Sequence, residues 1–331
     1  MRIFVTGGAG YVGCHGVRGL CEAGHEVVVF DNLSSGHREA VDPRAELIVG
    51  DLADTALLDQ AMAAGSFDAV MHFAAFLDVN ESVHEPLRYY RNNVANSVTL
   101  LERMKAHEIR KMVFSSSCAT YGLPAAVPIT EDMPLAPISP YGRTKVAIEW
   151  AMRDSAAAWG LGATALRYFN AAGAAADATL GEVHDPETHL VPLVLAVALR
   201  RREEIKIFGL DYPTTDGSCV RDYVHVEDLA AVHRIALETQ VEGAFRCYNV
   251  GTGVGVSVKE VIEMARAVTG HDIPSSPAPR REGDPAELYA DPTKVISELG
   301  WQPQYTDIRG TIETAWNWHR THPDGFAGGA G

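Results

Sequence analysis

Tyr141 and Lys145 stand four residues apart in Tyr141-Gly142-Arg143-Thr144-Lys145, just after Pro140. On a helix, that spacing places both side chains on one face. A phenol ordinarily titrates near ~10, too high for a base at neutral pH. A neighbouring ammonium favours the phenolate and lowers that value. The pair therefore has the makings of a proton acceptor. A surface Tyr and Lys on an amphipathic helix would carry the same pattern, so the pair alone decides nothing. Ser115-Ser116-Ser117 closes an apolar run upstream, which makes a chance pattern less easy to credit.

A second group lies at the start of the chain. In Thr6-Gly7-Gly8-Ala9-Gly10-Tyr11-Val12-Gly13 the glycines at 7, 10 and 13 read GxxGxxG, with an apolar run before and a helical pattern after. This is the turn that brings backbone N–H groups up to a pyrophosphate at a helix N-terminus, where side chains would block the approach. Asp31 ends the second apolar run, at the distance where a carboxylate accepts from adenine ribose hydroxyls. It would repel a 2′-phosphate, which favours NAD over NADP. Asn32 and Ser34-Ser35-Gly36 follow, so Asp31 also fits the part of a loop cap. Asp51, after the third run, suits the adenine edge. Phe73-Ala74-Ala75, after the fourth, would let the backbone lie close to the dinucleotide.

These groups need a scaffold of alternating elements. Ile3 to Thr6, Glu26 to Phe30, Glu46 to Val49, Ala69 to Phe73, Met112 to Ser115 and Ala163 to Tyr168 read as short apolar strands. Helical patterns separate them: one carrying Val17, Leu20 and Cys21 and closing near Gly24, then 54–64, 87–105 and 141–159. Apolar strands divided by helices predict a parallel sheet covered on both faces. The expected fold class is α/β, with a Rossmann-type doubly wound parallel sheet over 1–170. A smaller mixed α/β C-terminal substrate domain is expected over 171–331. Segments around 220–252, Cys247 to Val250 among them, are expected to return to the main sheet. Asp211-Tyr212-Pro213 and Ser275-Ser276-Pro277 read as interruptions, and the Gly-rich stretch from Phe326 to Gly331 as a frayed end.

Composition excludes several classes. Of 331 residues, 43 are acidic and 28 basic, a formal net charge of -15. That argues against sequence-independent nucleic-acid binding, which rests on Lys and Arg contacts to phosphate. The five cysteines, Cys14, Cys21, Cys118, Cys219 and Cys247, are odd in number, widely spaced and form no CxxC. They point to a reducing, cytoplasmic setting and away from a zinc site, and no metal is expected. No apolar leader precedes Ile3. The longest apolar run, Leu190 to Leu199, is far short of the roughly 20 residues of a membrane span. It reads as a buried helix ending on Arg200-Arg201-Arg202, so no membrane partner is expected.

The motifs TGGAGYVG, SSSCATYG, YGRTK, RYFNAAGA, RDYVHVEDL and APRREGD, in this order, resemble the extended short-chain dehydrogenases/reductases. Within them the likeness is greatest to those that epimerise nucleotide sugars, and it runs from Met1 to about His322. The resemblance implies a UDP-hexose substrate, NAD as a retained cofactor, and inversion at sugar C4 through a transient 4-keto sugar. Tyr141 would take the proton from the 4-hydroxyl. Ser117 would hydrogen-bond the 4-oxygen, and Lys145 would hold the nicotinamide ribose and tune Tyr141. The cofactor set implied is Gly7, Gly10, Tyr11, Val12, Gly13, Asp31, Asn32, Asp51, Leu52, Phe73, Ala74, Ala75, Asn92, Ser115, Tyr141, Lys145 and Tyr168. For the substrate, Arg221 and Arg281 would meet the diphosphate and Asn170 the nucleotide sugar. Asp284 would meet the uridine ribose, with Ile207 and Phe208 bordering the uracil. Read without the resemblance, each Arg is a surface ion pair with Asp222, Glu282 or Asp284. His225 is either a site residue or a buried, hydrogen-bonded histidine.

Three positions depart from the pattern of this group. His189 precedes Leu190-Val191-Pro192 where an Asn is common; both His189 and Leu190 belong to the implied substrate wall. Leu77 stands where a Lys often reaches the cofactor, which predicts weaker cofactor retention. Leu288 occupies the position that controls room for an N-acetyl group, which leaves N-acetylhexosamines and pentoses open. Relatives pair helices corresponding to 87–105 and 141–159 in a homodimer; here Leu87, Tyr90, Val94, Val98 and Leu101 permit this, although a single core-facing stripe is the simpler reading.

Two other readings compete. A nucleotide-sugar dehydratase needs an acid and a base after the serine, and decarboxylase relatives carry a Glu there. In this chain Ser117 is followed by Cys118 and Ala119. A non-catalytic NAD-binding regulator has no need of Ser117, Tyr141 and Lys145 together.

Overall fold

Residues 1–281 and 283–326 are described in the computed structural model of the chain. Six strands alternate with helices in the first half: β1 (Arg2–Thr6), α1 (Tyr11–Glu22), β2 (Glu26–Asp31), β3 (Glu46–Val49), α2 (Thr55–Ala63), β4 (Ala69–His72), α3 (Val79–His84), α4 (Pro86–Tyr89), α5 (Asn96–Ala106), β5 (Lys111–Ser117), α6 (Pro140–Trp159) and β6 (Gly162–Tyr168). The second half holds β7 (Asn170–Ala172), α7 (Leu190–Ala198), β8 (Ile205–Phe208), β9 (Val220–Arg221), β10 (Tyr223–His225), α8 (Val226–Glu238), β11 (Phe245–Val250), β12 (Val256–Ser257), α9 (Val258–Thr269), β13 (Ser275–Ala278), β14 (Glu287–Leu288), α10 (Thr293–Leu299) and α11 (Ile308–Thr321).

The main sheet has seven parallel strands in the order β11-β6-β5-β4-β1-β2-β3. The order reverses between β1 and β4, so the ends of these strands frame a crevice where α/β folds take ligands. Side chains alternate across the pleat. Ile3, Val5, Val27, Val29 and Val113 enter one core with Val17, Leu20 and Leu229. Phe4, Val28, Phe30, Val70, Met112 and Phe114 enter another with Leu58, Leu100 and Met152. Both faces are thus covered, which is why the middles of β1, β2 and β4 are apolar on consecutive positions. A third core joins α7, β8, α9 and α11 through Val194, Leu195, Ile207, Ile262 and Ile312.

Of the segments around 220–252, β11 pairs with β6 from Phe245 to Val250 and joins the main sheet, whereas β9 and β10 pair with short strands outside it. Three other features differ from the sequence expectation, and one open alternative is decided. The helix expected over 87–105 is α4 and α5 joined by a π-helical turn, Tyr90–Ala95. In that turn Asn93 is fully buried, and its amide bonds the Phe76 N–H and carbonyl and the Thr144 hydroxyl. Ser275-Ser276-Pro277 is not an interruption but β13, a strand parallel to β8. The pair is only two strands wide, where a missing N–H at Pro277 is tolerated. Phe326 is not frayed: its ring lies 4.9 Å from Trp318 and 5.3 Å from His37. Residues 327–331 of the expected frayed end lie outside the described residues. His225 is fully buried, stacked on Tyr305 at 3.5 Å and bonded to the Thr314 hydroxyl at 2.9 Å, so it is a packing residue.

Candidate active site

The glycine turn follows β1. Gly7 has φ of +73°, and a Cβ there would stand 2.4 Å from the Ala74 nitrogen. A Cβ on Gly13 would stand 2.1 Å from the Gly7 carbonyl. Only glycine lets these backbones approach. Gly10 caps α1 and supplies no side-chain hydrogen bond, so the first-turn N–H groups around Tyr11, Val12 and Gly13 keep no cap of their own. That is the arrangement an anionic diphosphate satisfies. Tyr11 reaches away, donating to the Gly173 carbonyl at 2.7 Å.

Asp31 closes β2. Its carboxylate accepts from the Ala9 and Leu33 N–H groups at 2.9 and 2.8 Å, and burial raises its pKa. It caps the loop, and each oxygen still keeps a lone pair for a ribose hydroxyl. Asn32 donates to Asp51 at 2.7 Å, which ties the ends of β2 and β3 together. Leu52 is buried in the second core, and the Phe73 ring packs on His233 at 4.8 Å, so both turn their side chains away from the crevice. Ala74, beside Gly7, brings its backbone to the turn, and Ala75 follows it half-buried. Asn92, in the π-helical turn, donates to Asn93 at 2.9 Å. Leu77 is 43% exposed. The residues around the turn fit a dinucleotide.

β5 and α6 position the expected Ser, Tyr and Lys group. Ser139 caps α6 by accepting from the Gly142 N–H, and Pro140 opens its first turn. Tyr141 and Lys145 therefore start on the first two turns and face β5. The Lys145 ammonium donates to the Ser115 carbonyl at 2.8 Å and lies 5.6 Å from the Tyr141 ring centre. Tyr168, at the end of β6, accepts from the Ser115 hydroxyl at 3.0 Å. Ser117 accepts from the Ala119 N–H at 3.2 Å. Burial pushes the Tyr141 phenol well above its ordinary value; Tyr168 adds to this, and the Ser117 hydroxyl works the other way. Burial also lowers Lys145 to about 7, against the pull of Glu149. Each group is thus held toward its neutral form until a charge arrives to stabilise the other.

Behind this layer lies a buried polar chain that the sequence reading missed. Ser116 donates to Glu149 at 2.6 Å, Glu149 pairs with Arg167, and Arg167 donates to the Tyr121 hydroxyl at 2.7 Å. Tyr121 donates to Asn249 at 2.7 Å. One signal was available: Glu149 is four residues beyond Lys145, on the same helix face.

A second group of predicted residues gathers on the short sheet β12-β9-β14. Arg221 of β9 pairs with Asp284 and is mostly buried, and Leu288 of β14 is its strand partner. Asp222 does not pair with Arg221. Its carboxylate takes bonds from Thr252, Gly253 and Ala290. Glu282 lies outside the described residues. Arg281 stacks its guanidinium 4.2 Å from the Phe208 ring centre. Ile207, its strand neighbour, alternates into the third core, so Phe208 alone of the two presents a ring outward. Asn170 is exposed at the start of β7, and Leu190 opens α7 half-buried. Burial pushes the Cys118 thiol up to about 12, while Arg221 pulls it down.

His189, the cap of α7, meets Glu187 and Glu182, both at 2.9 Å; His184 meets Glu182 at 3.2 Å and Glu187 at 3.5 Å. Burial opposes the imidazolium, but the carboxylates override it and raise His184 to about 9 and His189 to about 10. The sequence reading took His189 singly and missed Glu182, His184 and Glu187. Their alternation within eight residues was a legible signal.

A family model described as the NAD dependent epimerase/dehydratase family matches residues 3–251. The chain is 51% identical over 328 residues to a UDP-glucose 4-epimerase of Halalkalibacterium halodurans, covering 99% of this chain and 98% of that protein. It is 52% identical over 316 residues to a UDP-glucose 4-epimerase of Corynebacterium glutamicum, covering 96% and 95%. Among solved structures, UDP-glucose 4-epimerase from Bifidobacterium longum in complex with NAD+ and UDP superposes with a TM-score of 0.94 at 37% identity, covering 98% of this chain and 100% of that one.

Proposed function

The chain belongs to the NAD-dependent epimerase/dehydratase family, and we propose that it inverts C4 of a UDP-hexose, interconverting UDP-glucose and UDP-galactose with NAD as cofactor. The observation that carries this reading is the meeting of Tyr141, Lys145 and the end of β5 beside a glycine turn. Bound NAD supplies the acceptor and donor of the hydride at sugar C4. The uncapped start of α1 would hold its diphosphate, and Asp31 its adenine ribose. Tyr141 would hold and return the proton of the sugar 4-hydroxyl, and Lys145 would keep the phenolate accessible by its charge. Ser117 would orient the 4-oxygen. Arg221 and Arg281 would neutralise the UDP diphosphate, and Phe208 would border the uracil. Cys118 and Ala119 put no carboxylate behind Ser117, so loss of water is disfavoured on chemistry.

The deciding experiment incubates the protein with UDP-galactose and several other UDP-sugars without added NAD and identifies the products. UDP-glucose from UDP-galactose is expected. A 4-keto-6-deoxy product, or unchanged substrate in the presence of NAD, would overturn the reading.

The working form is a homodimer in this proposal. Val83, Leu87, Tyr90, Val98 and Trp150 are large apolar residues at 38–77% exposure, all on the α3–α6 group of helices. A second copy packing there would cover them. Sedimentation at micromolar concentration tests it, and a purely monomeric species would refute it. Among the described residues no helix is long and apolar enough to cross a membrane. The five cysteines are free, and this supports a cytoplasmic location.

A further inference from the structure

We propose that Glu182, His184, Glu187 and His189 bind one divalent transition-metal ion of the zinc class. Each residue offers one ligand atom, and the four atoms lie within 4.8 Å of one another. The donor set is two imidazoles and two carboxylates, which suits zinc and needs no cysteine. Zinc bonds of ~2.0–2.2 Å to N and O give a tetrahedron with edges of about 3.3–3.6 Å. The nitrogen-to-oxygen contacts are 2.9, 2.9, 3.2 and 3.5 Å; His189 meets Glu187 Oε1 and His184 meets Glu187 Oε2, so small shifts onto one Glu187 oxygen would seat an ion.

A second observation points to a ligand. Glu182 is 4% exposed, and its Oε1 has no hydrogen-bond partner although two histidines stand beside it. The His184 Nδ1 is likewise buried without one. The His189 Nδ1–Glu187 Oε1 contact is a hydrogen bond, but the other three fail that geometry and are placed as ligands to a common point would be. Buried polar atoms without partners are costly, and an ion would satisfy both. Two carboxylates also balance a dication, so the filled site is neutral.

The surrounding structure holds the ligands in place. Gly181, just before Glu182, lies against Trp318, where a Cβ would come 2.2 Å from the indole, so only glycine fits there. His184 stands edge-on to Tyr11 at 6.3 Å, beside the first turn of α1. His189 caps α7 without spending its side chain on the helix. An ion here would fasten residues 182–189 between the dinucleotide turn and the start of α7. Four protein ligands leave no open position, so the role is structural, outside the proton and hydride steps.

The test uses the full-length protein with its cofactor, stripped with a chelator and dialysed. Zinc chloride is added, excess is removed, and bound zinc is counted by mass spectrometry. One zinc per chain is expected for the wild type, and at least tenfold weaker uptake for His184→Ala and for Glu187→Gln. Cobalt(II) in place of zinc should give the intense visible bands of a tetrahedral ion, and zinc should raise the wild-type melting temperature. Uptake equal in wild type and variants, or a cobalt spectrum of the octahedral aquo ion, would overturn the proposal. Should a variant fail to fold, the wild-type cobalt spectrum and zinc count decide the matter alone. A site held only by ion pairs between imidazolium and carboxylate takes up no zinc.

Discussion

Glu149 and Arg167 form a two-point ion pair behind Ser116, with Nε–Oε1 at 3.0 Å and Nη2–Oε2 at 2.5 Å. Neither side chain is more than 2% exposed. A buried pair of this kind is poor at adding stability but damaging when half removed. Glu149→Gln leaves Arg167 an unpaired buried charge, and a loss of about 3–5 kcal/mol is expected in urea unfolding. The double replacement Glu149→Leu with Arg167→Met should cost less than Glu149→Gln alone. A single variant as stable as wild type would show that the pair is not sensed by the fold.

Tyr141→Phe removes the phenol and leaves the ring packing. Turnover of UDP-galactose should fall about 10²–10⁴-fold, the usual contribution of a positioned acid–base group. Bound NAD, read from the absorbance of the released cofactor, should stay at the wild-type level. Near-normal turnover in this variant would remove Tyr141 from the mechanism.

His72 is buried between the hydroxyls of Thr6 and Ser97, at 2.6 and 2.8 Å. Burial, with the Lys145 charge added, lowers its pKa from 6.5 to about 3. Between those values the unfolded chain binds the extra proton and the folded chain does not. Its contribution is therefore complete above pH 6.5 and is lost as pH falls toward 3, by up to about 1.4 kcal/mol per pH unit. Melting measured from pH 7 to pH 4 should show a shallower acid limb in His72→Gln than in wild type. Parallel limbs would refute the assignment.

Arg221→Ala removes the partner of Asp284 and leaves that carboxylate facing the expected diphosphate. The KM for UDP-galactose should rise about 10–100-fold, the scale of a charged hydrogen bond, with bound NAD unchanged. Steady-state kinetics and cofactor content together check this.

Leu288 sits beside Arg221 across β9 and β14 and is half-buried. A larger side chain there should narrow the sugar site. Leu288→Tyr is expected to lower kcat/KM for UDP-N-acetylglucosamine more than for UDP-glucose, and Leu288→Cys to do the reverse. Equal effects on both sugars would place the size control elsewhere.

What the chain order alone determined is what is local or periodic. The glycine turn, the strand series up to β6, and the shared face of Tyr141 and Lys145 each depend on residues within one or two turns of each other. The departure of Cys118 and Ala119 from a dehydrating pair was legible for the same reason. The tertiary structure decided the rest. Arg221 chose Asp284, 63 residues away, over its chain neighbour Asp222, because parallel pairing of β9 with β14 brings the former across and backbone donors occupy the latter. Ser275-Ser276-Pro277 became a strand because β8 offered an edge. His225 became a packing residue once Tyr305 and Thr314 closed over it. Asn93 drew a π-helical turn into a run that reads as a plain helix. In each case two hydrogen-bonding options or two faces were equal in the sequence. Burial chose between them, since a polar group out of water must find its partner wherever the fold has placed one.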